Sequence, residues 1–430
     1  MEFIKAQKGT VDLLPAQTEK WRIVEDVMRS EAQIHGFGEI RTPVFEDTRL
    51  FQRSVGETTD VVQKEMYTFD DKGNRSITLR PEGTAGAVRA MLEHGLYNDG
   101  LPLKLYYLTS CYRYENTQAG RQREFHQFGV ELFGTAEPVA DAEVICMAKS
   151  IYDRLGVQNL KINLNSIGCP DCRAKYYEAL KDYFRQYTDK LCGTCRDRLE
   201  RNPMRILDCK NPSCKEVAKG APLMPEYLCD DCREHFESVQ EYLKATGVEY
   251  TLDPTLVRGL DYYTRTVFEF VSGDLGAQNT IGGGGRYDGL VEELGGQPMP
   301  ALGFGLGMER LMLVLEAQKV EFPEQETPDL YIASLGENAK REAFLLAHRL
   351  QEYSISAVCD LNNRGLKAQM KYADKIGAKY SIVLGDNELL AKRADIKDMK
   401  TGEKSSISLG DDFVEQFVIL QTKAEDELAF

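Results

Sequence analysis

Two strand-like runs, "LKLYYLTSCYRYE" at 103–115 and "REFHQFGVELFG" at 123–134, are joined by the polar "NTQAGRQ" and read as one long hairpin with a mobile loop. The two-residue strand period puts Phe125, Gln127, Gly129 and Glu131 on one face of the second strand, and Arg113 and Glu115 on one face of the first. Placing arginine, glutamine and glutamate on a common sheet face is costly unless that face lines a wet or charged pocket. The hairpin therefore constrains this part of the chain to a sheet with a polar site on one side.

A second stretch, "LVRGLDYYTRTVFEF" at 256–270, brings more site-like residues to a sheet. Thr264 to Phe270 alternates like a strand with one packed face, and Gly259 lets the chain turn between Arg258 and the group Asp261, Tyr262 and Tyr263. "SITLRPEGTAGAVRAML" reads as a short strand, a turn through Pro81 and Gly83, and a helix; Thr84 contributes to its cap, and its first backbone donors are free for a ligand. "ALGFGLGMERLMLVLEAQ" runs from glycine-rich strand into helix, with Arg310 in the first turns. Arginine's planar fork suits phosphate oxygens, so Arg113, Arg121, Arg123, Arg258 and Arg310 around strand ends point to a phosphate-transfer site. No G-x-x-x-x-G-K-[ST] occurs and no G-x-G-x-x-G follows a first strand, so a bound nucleotide would use neither a P-loop nor a Rossmann loop.

At 430 residues the chain should hold two or three domains. The sheet pattern of residues 1–167 is interrupted over 168–250 by helical spacing, resumes over 251–325, and gives way near the acidic, Pro-flanked "EFPEQETPD" to alternating short strands and helices over 326–430. That last part reads as a small α/β domain with a largely parallel sheet. The interruption holds eight of the eleven cysteines, as Cys169-x2-Cys172, Cys192-x2-Cys195, Cys209-x4-Cys214 and Cys229-x2-Cys232. This is the spacing of thiolates in tetrahedral zinc sites; eight ligands fill two sites, or one with spares, and the alternative is a set of packed reduced thiols. A structural rather than a catalytic zinc is the expected ion. Cys111, Cys146 and Cys359 read as buried small hydrophobes.

A formal net charge of −15 argues against a general nucleic-acid coat, so a polynucleotide partner requires a local basic patch. Lys367, Lys371 and Lys375 recur every four residues and would ridge one helix, although a solvated face explains them equally well. No apolar leader and no run of membrane-spanning length occurs, which points to the cytoplasm and away from a membrane. His126, on the strand face opposite Gln127, reads as packed or hydrogen-bonded, and the other four histidines carry no assigned function.

These segments also carry a family resemblance. "FGEIRTPVFED", "CYRYENTQAGRQREFHQFGVE" and "GFGLGMERL" look like motifs 1, 2 and 3 of the class II aminoacyl-tRNA synthetases. "LVRGLDYYTRTVFEF" and "GGGGRYDGL" resemble the two signatures of the histidyl-tRNA synthetase family, and "KGTVDLLP" and "TLRPEGTAG" match it as well. The match runs in order over nearly the whole chain. It implies an α+β fold: a six-stranded antiparallel catalytic sheet with flanking helices (1–167 and 251–325), an inserted Cys-rich, mostly helical domain (168–250), and a C-terminal α/β anticodon-binding domain (326–430). A homodimer formed partly through motif 1 is also implied, as are L-histidine, ATP with Mg²⁺ and tRNA(His) as partners.

The resemblance further implies residue roles. Arg113 and Arg258 would hold the α-phosphate of ATP from two sides, with Arg310, Arg121 and Arg123 attending to the rest and Phe125 stacking on adenine. Glu82, Thr84 and Gln127 would receive the histidine amino group, with Gly83 also at the histidine site; Glu131 and Tyr263 would read the imidazole, with Tyr262 nearby. In one departure, the motif 2 loop, commonly Glu-Arg-Pro-Gln, is here Glu115-Asn116-Thr117-Gln118, at the point where the family approaches the tRNA acceptor end. A rival reading is a non-catalytic paralogue serving as a histidine-sensing regulatory subunit of ATP phosphoribosyltransferase. Such paralogues usually lack the C-terminal domain and have degraded motifs 2 and 3, whereas this chain keeps Arg113, Arg258, Arg310 and an α/β segment after 328. A zinc-dependent nucleic-acid-binding protein without activity would leave the arginine and glutamate placements outside the insertion unexplained.

Overall fold

Alternation along the hairpin divides its side chains between two environments. Phe128, Val130 and Leu132 face a core shared with Leu302, Phe304 and Leu306 of a neighbouring strand and with helices Pro15–Ile34, Pro138–Arg154 and Met308–Ala317. The intervening residues face a cleft. This partition occurs in a computed structural model that describes residues 3–428 apart from 57, 58 and 60, and that divides into two compact units, Met1–Phe322 and Pro323–Phe430.

The large sheet of the first unit has eight strands. They lie in the order Gly38–Glu39, Leu103–Tyr112, Glu124–Phe133, Ala301–Gly307, Thr280–Arg286, Thr264–Ser272, Leu160–Ser166 and Thr251–Leu252. The six inner strands are antiparallel throughout, and the two-residue strand at each edge pairs parallel to its neighbour. A small sheet of Phe45–Asp47, Ser76–Leu79 and Thr68–Asp70 stands beside it. With its flanking helices and a separate C-terminal unit, the chain is α+β.

Two sequence expectations, on Arg113 with Glu115 and on the single cysteines, need correction. The first hairpin strand ends at Tyr112, so Arg113 and Glu115 sit in the connecting loop, where the Arg113 amide still donates to the Arg123 carbonyl at 2.8 Å. The motif 1 stretch forms two short strands in different sheets, Gly38–Glu39 and Phe45–Asp47, divided around Thr42-Pro43. Gly259 lies in a bend, as its turn reading expects, and the left-handed conformation in this segment falls on Arg265, at φ 50°, where the register shifts. Of the single cysteines, Cys111 is buried, but Cys146 and Cys359 are half-exposed.

Within residues 168–250 lie helices Pro170–Arg185, Gly193–Arg201, Pro212–Ala218 and Asp230–Ala245. The last of these packs Phe236, Val239 and Leu243 into the main core, so the segment is anchored to the body rather than hung from it. In the second unit, Ala357–Cys359, Leu330–Ser334 and Tyr380–Leu384 pair parallel, and the antiparallel Arg393–Asp398 and Lys404–Ser408 extend the sheet. Lys367, Lys371 and Lys375 are all exposed along the helix Leu366–Lys375. Among the described residues no helix is long and apolar enough to cross a membrane.

Candidate active site

Two adjoining cavities, of about 570 and 630 Å³, open over the polar face of the large sheet. Glycines create them. Gly303 stands opposite Glu131 in the sheet register and Gly305 opposite Gly129, two residues from Gln127, and a Cβ there would lie 2.3 Å from Glu131 Oε2 or 2.0 Å from Gln127 Nε2. The bare backbone lets both polar side chains lie flat across the sheet.

The first cavity is lined by Glu82, Thr84, Gln127, Glu131, Tyr262 and Tyr263. Glu131 is buried and accepts from Tyr107 Oη at 2.9 Å and from Tyr287 Oη. Burial pushes its carboxyl up to about 8, with Tyr287 opposing the shift by stabilising the charge. Glu82, also buried and raised by burial, accepts from the amides of Thr84 at 2.7 Å and Ala85 at 2.8 Å. The helix-start donors that looked free for a ligand are thus taken by Glu82, the residue two before the first helical position. Gly83 lines neither cavity; it is the N-cap of that helix and gives room to the Tyr107 ring, 2.2 Å from where its Cβ would be.

The second cavity is lined by Phe125, Glu269, Thr280, Glu309 and Arg310. Arg310 Nη1 donates to the Thr280 carbonyl at 2.6 Å, and burial, with positive Arg121 nearby, holds its pKa below the ordinary arginine value. Arg113 Cζ lies 5.2 Å from the Phe125 ring centroid, and Arg113 Nε donates to the Pro81 carbonyl at 2.8 Å. Arg113, Arg121 and Arg258 line both cavities. Arg258 pairs with Glu269, whose other oxygen accepts from Thr280 Oγ1 at 3.0 Å. Arg121 pairs with Glu115 at 3.0 Å. Arg123 is not brought in: its guanidinium packs 3.7 Å from the centroid of the Tyr114 ring. His126, on the opposite face, pairs through Nδ1 with Glu309 at 2.9 Å, which raises its pKa.

Tyr107, Tyr287 and Glu269 are site residues that sequence reasoning missed. Gly129 was the available signal for Tyr107, because a glycine inside a strand marks a close approach and Tyr107 lies directly opposite.

The eight clustered cysteines assemble into two nested sets, Cys169, Cys172, Cys229 and Cys232 around Cys192, Cys195, Cys209 and Cys214 in chain order. Within each set the sulfurs lie within 4.8 Å of one another. The Cys229 amide donates to Cys172 Sγ at 3.1 Å, and the Cys192 amide to Cys214 Sγ at 3.2 Å. None of the eleven cysteines is joined in a disulfide.

An antiparallel sheet bearing paired polar cavities, followed by a separate unit, is the plan of an aminoacyl-tRNA synthetase, and the anticodon binding domain profile matches residues 329–417 of that unit. The histidyl-tRNA synthetase profile matches residues 9–311. The chain belongs to the histidyl-tRNA synthetase family. It is 55% identical to a histidine–tRNA ligase of Acetivibrio thermocellus over 405 residues, 94% of this chain and 97% of that one. It is 53% identical to a histidine–tRNA ligase of Clostridium novyi, over 94% of this chain and 97% of the relative. The crystal structure of apo S. aureus histidyl-tRNA synthetase superposes with a TM-score of 0.83 at 42% identity, covering 96% of this chain and all (100%) of that one. A Bacillus halodurans structure described as an ATP phosphoribosyltransferase regulatory subunit/histidyl-tRNA synthetase shares the fold at a TM-score of 0.62 and 24% identity, covering 86% of this chain and 97% of its own.

Proposed function

We propose that this chain is a histidine–tRNA ligase acting in the cytoplasm. A carboxylate oxygen of L-histidine attacks the α-phosphorus of ATP, the bond to the β-phosphate breaks, and histidyl-adenylate and pyrophosphate result. The 3′-terminal ribose of tRNA(His) then takes the histidyl group and AMP leaves. The observation that carries this reading is that Arg113 and Arg258 line both cavities, one rich in amino-acid-binding groups and the other bearing an aromatic ring and Arg310. Carboxylate and phosphate repel, so a site for this step has to neutralise charge and hold an in-line approach, and two cations at the junction supply that. No side-chain nucleophile is required.

Glu82, Thr84 and Gln127 receive the ammonium of histidine, and Glu131, Tyr262 and Tyr263 line the imidazole side. A buried acid and buried phenols reject side chains that leave them unpaired. Phe125 stacks on adenine, and Arg121 and Arg310 meet the outer phosphates. Mg²⁺ would accompany ATP and neutralise phosphate charge, and the wall carboxylates Glu269 and Glu309, which accept from Arg258, Thr280 and His126, are the residues that would face it. ATP-dependent transfer of labelled histidine to tRNA by the purified protein tests the reading; binding of histidine with no transfer would favour the regulatory paralogue.

Each cysteine set holds a structural Zn²⁺. Zinc–thiolate bonds of about 2.3 Å place sulfurs about 3.8 Å apart, and the Cys192–Cys209 pair stands at 3.9 Å. Metal analysis should return about two zinc ions per chain, falling to about one in Cys214→Ser. The protein pairs as a homodimer partly through motif 1, whose Phe45 is 54% exposed on the same face of the small sheet as Phe69 of the strand Thr68–Asp70, 49% exposed. Sedimentation at monomer mass at micromolar concentration would remove that proposal.

A further inference from the structure

The segment carrying Arg258, Tyr262 and Tyr263 is gripped from outside the sheet, by the insertion. Arg205 Nη1 donates to the Arg258 carbonyl at 2.7 Å. Asn202 Nδ2 donates to Asp261 Oδ1 at 2.9 Å. Arg173 Nη1 donates to the Tyr263 carbonyl at 3.0 Å, and the amide of left-handed Arg265 donates to the Gly168 carbonyl at 2.9 Å. The grip follows the cysteine sets: Gly168 and Arg173 adjoin Cys169 and Cys172, while Asn202 and Arg205 lie between Cys195 and Cys209. Arg205 also lines the first cavity, beside Cys192 and Cys209.

The Arg258 side chain meets one carboxylate from outside its own segment and, within that segment, the Tyr263 ring, whose centroid lies 5.7 Å from Cζ. Its Nη1 meets Glu269, and its buried Nε has no hydrogen-bond partner. Where its backbone sits therefore decides where its fork points. We propose that Asn202 and Arg205 are positioning residues for adenylate formation, which fix the Arg258 segment from the loop that the second cysteine set closes. This rests on the reading of Arg258 as a phosphate ligand. A displacement on the order of 1 Å in such a group lowers a rate about a hundredfold. Arg205 is half-buried in the short helical turn Pro203–Ile206, whose core side chains are Met204 and Ile206, so its removal can be separated from unfolding.

The test compares wild type, Arg205→Ala, Arg205→Lys and Asn202→Ala by histidine-dependent pyrophosphate exchange, with zinc content, melting temperature and hydrogen exchange of the ligand-free proteins. Arg205→Ala should lower kcat by about 10- to 100-fold with the histidine KM nearly unchanged. Its amides at 258–265 should exchange faster while zinc content and melting temperature stay at wild-type values. Arg205→Lys, which keeps a donor, should recover part of the rate. Wild-type kcat and wild-type protection of 258–265 in Arg205→Ala would overturn the proposal, as would a rate loss matched by loss of zinc or of melting temperature. If wild type itself performs no exchange, the reading of Arg258 falls, and protection of 258–265 still decides whether the grip exists.

Discussion

Gly303 and Gly305 offer a paired perturbation, because an added methyl at each enters the same cavity wall and meets atoms of different kinds. At Gly305 the three nearest atoms all belong to the Gln127 side chain, at 2.0, 3.2 and 3.8 Å. That side chain can swing away, so Gly305→Ala should leave the melting temperature nearly unchanged. What it removes is the Gln127 amide from the proposed ammonium site. A hydrogen bond to a charged group is worth about 1.5–3 kcal/mol, so the histidine KM in pyrophosphate exchange should rise about ten- to a hundredfold with kcat less affected. At Gly303 the nearest atom is the Val130 carbonyl oxygen at 2.2 Å, followed by Glu131 Oε2 at 2.3 Å. A ladder carbonyl yields only with its strand, so Gly303→Ala should cost about 1–3 kcal/mol of stability and melt a few degrees lower in addition to weakening histidine binding. Equal melting of the two variants, or a wild-type histidine KM in Gly305→Ala, would refute the view that these glycines clear space for named site residues.

Further perturbations have signed outcomes. Because burial lifts Glu131 from 4.5 to about 8, the folded protein keeps a proton that the unfolded chain releases over that window. The melting temperature of wild type should therefore fall relative to Glu131→Gln as pH climbs from about 4.5 to 8 and level off above it; parallel curves would contradict the shift. Arg286 is fully buried, pairs with Asp141 at 2.6 Å and donates to the carbonyls of Thr135 and Glu137 at 2.9 Å each. Asp141→Asn leaves the more distant Asp288, at 3.5 Å, as the remaining carboxylate partner and should cost about 3 kcal/mol in urea denaturation, a loss below about 1 kcal/mol being the contrary result. Reversing Lys367, Lys371 and Lys375 to glutamate should weaken tRNA binding about tenfold or more and spare pyrophosphate exchange; unchanged affinity would exclude the ridge.

The hairpin was legible because two long strands with a short polar link leave few alternatives, and because Gln127 and Glu131 recur at the strand period. The family motifs made the α+β plan legible too. Tyr107 and Tyr287 were not, since both lie in runs that read as packing or turn, and only cross-strand register brings them to Glu131. Arg123 is a related case: its place at the hairpin exit and the family resemblance put it with ATP, but the backbone turn there aims it at Tyr114. Helix-start donors looked free because the carboxylate that takes them, Glu82, belongs to the turn rather than the helix. The cysteine spacing announced thiolate sets, yet the nested pairing depends on helices Pro170–Arg185 and Asp230–Ala245 bringing their first turns together, which spacing does not encode.

The most direct measurement is exchange of labelled pyrophosphate into ATP by the purified protein, run with each amino acid in turn and with Arg258→Ala beside wild type. The account predicts exchange with histidine alone and its loss, by about a hundredfold or more, in the variant. Exchange supported by another amino acid, or undiminished without Arg258, would contradict it.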